Sequence, residues 1–272
     1  PKTKVMEFFL YAFFRNAILG ILFNSICAAI IGTYIISRRM VAITGGITHA
    51  CFGGLGLGYF LGLNPVVTAS VFSVFSALGV EWMAAKHRVR EDSAIAVIWA
   101  FGMALGVLFV FLTPGYVPEL NAFLFGNLLT ITTTDIISFA VYTAVLLLIY
   151  IIAFKKVVAS AFDRDFAAVA GLPVKWLNTV MTIMIAIGVV LTIRMVGIML
   201  LMSLFSLPQM IAETRCVRFR SMTIAAVIIS VVTCLSGLLV SAYIDVPCSA
   251  VIVIFQVIVF IAARIFSPRK SQ

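Results

Sequence analysis

His49 sits in a run of residues, 40–80, that contains no charged side chain. An imidazole at membrane depth is costly, and such a group is read first as part of a site. It is ionisable and competent to bind a metal. The plainer alternative is a hydrogen-bonded histidine used for packing. The second histidine, His87, lies among Lys86, Arg88 and Arg90 and reads as a solvated loop residue.

Other chemistry is sparse. No G-x-x-x-x-G-K-[S/T] occurs, so this chain carries no P-loop for ATP. Neither H-E-x-x-H nor G-x-S-x-G is present, which argues against a protease or hydrolase, and no catalytic residue is expected. Cys27, Cys51, Cys216, Cys234 and Cys248 form no C-x-x-C and read as small apolar residues. The acidic residues Glu7, Glu119, Asp135 and Asp245 stand at the edges of apolar windows, and the remaining acids accompany basic clusters. Proton- or sodium-driven carriers need carboxylates inside the membrane, so driving energy is expected to come from elsewhere.

The elements that must position His49 are membrane helices. Of the 272 residues, 63% are hydrophobic and 11% charged, far below the ~25% charged of soluble domains. A bilayer core of ~30 Å takes about 20 apolar residues per helix. Windows 16–37, 93–113, 136–154 and 222–244 meet that length, and 176–193, 195–212 and 246–263 are shorter but sufficient. Run 40–80 is too long for one helix and breaks at Asn64-Pro65. The reading is an all-α polytopic membrane protein of about nine transmembrane helices, eight to ten in range, forming one integral membrane domain over 1–272. The stretch Phe8–Phe14 is read as an interfacial or short packing helix, with no convincing signal peptide.

The net charge of +9 does not point to nucleic acid. With nine alternating spans, every Lys and Arg except Lys2, Lys4, Arg15 and Arg194 falls on one side. The positive-inside rule makes that side cytoplasmic, with the C-terminus there. The opposite side carries Pro114–Thr134, read as a half-inserted helix buried in protein or lining a wet cavity. Gly54, Gly58 and Gly62 recur every four residues after His49, a small-xxx-small packing face or space for a pathway.

A cytoplasmic segment at about 160–175 is the second informative stretch. Phe162, Phe166 and Val169 can share one face of a short amphipathic helix. Asp163, Arg164 and Asp165 can face water, and Gly171 and Pro173 end the helix. Such a helix suits docking into a partner's groove or lying on headgroups.

Taken in order, these motifs resemble a known family. Ser37-Arg-Arg-Met…Thr48-His49-Ala, Arg90-Glu-Asp-Ser, Phe123-Leu-Phe-Gly-Asn127-Leu-Leu, Phe162-Asp-Arg-Asp-Phe-Ala with Ala170-Gly-Leu-Pro, Val196-Gly-Ile-Met with Pro208, and Tyr243-Ile-Asp245-Val-Pro are similar to bacterial zinc/manganese/iron ABC permeases. The resemblance implies a type II ABC-importer-like permease fold in the bacterial plasma membrane. It implies a homodimer, cytoplasmic ABC ATPase subunits, an extracytoplasmic metal-binding protein, and a transported divalent metal ion, zinc or manganese, with no permanently bound cofactor. It makes His49 a transient pathway ligand, with Gly45, Thr48, Asn127 and Asp245 as pathway-lining candidates. Phe162, Asp163, Phe166 and Gly171 become the ATPase-coupling residues. Family members commonly carry Asp four positions before this His, where Gly45 stands here. Without that hard oxygen, imidazole favours zinc over manganese. A standalone secondary carrier or channel is the alternative, and a membrane scaffold the third.

Overall fold

A computed structural model describes residues 12–87, 89–114, 126 and 131–266. All regular elements among them are helices: α1 (Ala12–Ser37), α2 (Ala42–Leu61), α3 (Pro65–His87), α4 (Glu91–Leu112), α5 (Thr133–Ile152), α6 (Phe154–Phe162), α7 (Arg164–Val169), α8 (Val174–Leu204), α9 (Leu207–Glu213), α10 (Phe219–Ile244) and α11 (Cys248–Ile265). Among the described residues, seven stretches are long and apolar enough to cross a membrane: those of α1, α3, α4, α5, α8 with α9, α10 and α11. Helix α2 has 20 residues but is not among the seven, because its glycines, threonines and His49 dilute its apolar content.

The expected turn at Asn64-Pro65 is where α2 gives way to α3. Gly62 adopts φ 65° past the end of α2. Its N–H donates to Tyr59 O and that of Leu63 to Gly58 O, the paired bonds of a Schellman cap. Pro65 then opens α3, where a missing N–H costs nothing.

Of the stretch Phe8–Phe14, residues 1–11 lie outside the described set, and Phe14 is 2% exposed inside α1, as a packing role requires. Two expectations need correction. Window 195–212 is not one span. Gly197 (φ 76°, ψ 171°) interrupts α8, and α9 restarts with Pro208 in its first turn. Proline favours a helix start and glycine permits the break. The 160–173 segment is two helices, α6 and α7.

The chain divides into two compact units, interleaved in sequence. In the unit of Tyr34–Phe123 and Ile152–Ile193, α2 packs between α3 and α4 through glycine. A Cβ on Gly54 would meet Thr68 O at 2.6 Å and Ala69 Cα at 2.8 Å of α3. One on Gly56 would meet Gly106 O of α4 at 2.6 Å. These glycines thus serve close packing against two neighbours. In the unit of Pro1–Thr33, Leu124–Ile151 and Arg194–Gln272, buried polar side chains link helices. Gln256 lies between Ser203 and Thr233, Ser230 Oγ donates to Ser25 Oγ at 3.0 Å, and Gln209 Nε2 donates to Ala28 O at 2.6 Å. Such bonds supply specificity where lipid removes the hydrophobic drive between helices. All five cysteines are free.

Candidate functional site

His49 lies in the first half of α2 and is half-buried. Its ring stacks on Trp99 of α4, with centroids 4.4 Å apart and planes 3° from parallel. The close α2–α4 approach brings them together: a Cβ on Gly102 would stand 2.5 Å from Ala50 Cα. Gly45, one turn before His49, is buried. Thr48 is fully buried, and its hydroxyl donates to Thr44 O within the helix. Among the described residues, no group of three or more His, Cys, Asp or Glu is poised to hold a metal. Sequence reading missed Trp99. Its only signal was a tryptophan well inside a span, away from the interfacial belt where the residue is usual.

Asn127 lies outside the described residues. Asp245 belongs to the other unit, where it caps α10, exposed, at φ 61°. In that unit Asp135 is more than an edge residue. It forms a reciprocal cap with Thr132 at the start of α5, and its Oδ1 is 2.9 Å from Arg194 Nε. Gly126 (φ 63°) lies against the Val196–Gly197 backbone at the break in α8, too close for any Cβ.

The segment at 160–175 forms a corner. Asp163 leaves helical geometry (φ −147°), and its Oδ1 accepts the Phe166 N–H at 2.9 Å. That N-cap outcompetes continuation of α6. Phe162 therefore ends α6 while Phe166 belongs to α7, so the expected four-residue pairing on one helix does not occur. Both rings are exposed, as is Val169. Gly171 (φ 77°) ends α7: its N–H donates to Ala168 O and that of Leu172 to Ala167 O.

Arg164 does not simply face water. Its Nη1 donates to Glu91 Oε1 at 2.8 Å, and Arg38 Nη2 lies 3.7 Å from the same oxygen. The basic connections around Arg38, Arg90 and Arg164, expected to share one side, meet here. They border a cavity of about 410 Å³ that Glu81, Asn178 and Thr182 also line.

The chain matches the model of the ABC 3 transport family over residues 10–267. It is 30% identical over 268 residues to the chelated iron transport system membrane protein YfeD of Yersinia pestis, covering 98% of this chain and 90% of that one. It is 28% identical to the manganese transport system membrane protein MntC of Halalkalibacterium halodurans, with 96% and 89% covered. Among solved structures, PsaBC from Streptococcus pneumoniae in complex with Fab superposes with a TM-score of 0.85 over 97% of each chain. At 24% identity that likeness bears on the fold alone.

Proposed function

The chain belongs to the ABC 3 transport family, and on that premise we propose that it is the membrane-spanning permease subunit of an ATP-driven divalent metal importer. The family match over nearly the whole chain carries the reading. Two copies form the pathway in the plasma membrane, with the C-terminus in the cytoplasm. ATP hydrolysis belongs to separate ABC ATPase subunits, and an extracytoplasmic binding protein delivers the metal.

In this mechanism, movement of the ATPases displaces the α6–α7 corner, held by Asp163 and Gly171, through contacts with Phe162 and Phe166. The membrane helices then reseat around the path. The metal passes His49 as a transient ligand and leaves to the cytoplasm. A site that must release its ion is expected to be sparse. The absence of a carboxylate at Gly45 favours zinc, whereas the named relatives carry manganese and chelated iron.

The test is uptake into proteoliposomes with and without the partner ATPase, comparing zinc, manganese and iron. ATP-dependent uptake supports the reading, and the preferred metal is read from competition. Equal uptake without the ATPase favours a standalone carrier.

A further inference from the structure

We propose that Glu91 is the positioning residue through which movement of the α6–α7 corner reaches the helix that stacks on His49. The inference rests on the permease reading. Arg164 is the first residue of α7, and all three nitrogens of its guanidinium donate, to two partners. Nη1 donates to Glu91 Oε1 at 2.8 Å. With the Asn178 carboxamide oriented so that each donor meets an acceptor, Nη2 and Nε donate to its oxygen at 3.1 and 3.2 Å. The Asn178 amide then donates to Ser160 Oγ at 3.1 Å and Tyr34 Oη at 3.2 Å. Arg38 Nη1 donates to the same Tyr34 oxygen at 2.9 Å.

Glu91 Oε1 therefore faces two cations from separate segments, Arg164 on the corner and Arg38 after α1. A planar guanidinium holds direction as well as charge. Glu91 is also the first residue of α4, where a carboxylate complements the helix dipole. Trp99 lies eight residues further along α4, about 12 Å at 1.5 Å per residue. A rigid helix thus links the corner's anchor to the ring that packs on His49. Asp92, next in sequence, serves as a built-in comparison. It pairs with Arg90 at 2.9 Å, but both side chains are largely exposed, and such pairs contribute little.

The test is the ratio of metal taken up to ATP hydrolysed, measured for the reconstituted permease with its ATPase. Glu91→Gln keeps the shape and removes the charge. It should retain the ATPase in pull-down and hydrolyse ATP within about twofold of wild type, with the ratio falling about tenfold or more. Asp92→Asn should keep the wild-type ratio. If Glu91→Gln is not monodisperse, Arg164→Lys, which keeps charge but loses the fork, should lower the ratio in the same way. A wild-type ratio in the folded Glu91→Gln, or in Arg164→Lys where it substitutes, overturns the proposal, as does an equal fall in Asp92→Asn. If wild type shows no ATP-dependent uptake, the permease reading itself fails and takes this inference with it.

Discussion

Replacing Gly102 by Ala tests whether backbone contact between α2 and α4 positions His49. The added Cβ would stand 2.5 Å from Ala50 Cα, 2.8 Å from Ala50 O and 3.0 Å from Ala50 Cβ. Two of these are main-chain atoms, so no rotamer change relieves them. The helices must separate until the nearest pair reaches the 3.4 Å at which ordinary contact begins. Overpacking typically costs about 1–3 kcal/mol, and exchanging Gly for Ala inside a helix returns about 1 kcal/mol. The expected net loss is up to about 2 kcal/mol. Gly79→Ala is the control, since its Cβ would meet only Ile98 Cδ1 at 3.5 Å. There the propensity gain stands alone, and stability should rise or hold. Thermal unfolding in detergent, followed by loss of the monodisperse species, reads both. Metal uptake by Gly102→Ala should fall as well, because separation loosens the His49–Trp99 stack. A melting midpoint for Gly102→Ala at or above wild type, or an equal drop in Gly79→Ala, would refute the reasoning.

Three further outcomes are expected. His49→Ala should fold and assemble normally but lose uptake at limiting metal; wild-type uptake would make His49 a packing residue. Gly45→Asp should lower the zinc-to-manganese ratio in competition assays, with Gly45→Ala as the control for added volume at this buried position. An unchanged ratio would mean that position 45 does not meet the metal. Truncating Phe162 and Phe166 together to Ala should release the ATPase in pull-down, since aromatic anchors typically cost ~2 kcal/mol or more each when removed. Full transport with the ATPase retained would assign those rings to lipid headgroups instead.

The long helices were legible because apolar runs and flanking charges are local properties. The turn at Asn64-Pro65 was readable for the same reason. Gly197 was not, since one glycine in an apolar run reads equally as packing and as a break. Asp163 was counted as a water-facing member of a helix, whereas its side chain caps the next one. The setting of Arg164 depends on Glu91 and Asn178, which come from distant parts of the chain. His49 stood out by type and isolation, but its stacking partner lies 50 residues away. Local pattern gave the candidate, and its surroundings required the fold.

The polarity of α2 also bears on how the protein is made. A helix diluted by glycine, threonine and histidine partitions weakly into lipid on its own. Its residence in the bilayer is a property of the hairpin it forms with the more apolar α3, joined by the short Asn64-Pro65 turn. The glycine contacts of α2 complete this hairpin and admit α4. The position of His49 thus depends on its neighbours, and substitutions at Gly54 or Gly58, whose added Cβ would meet α3 backbone, would act on folding.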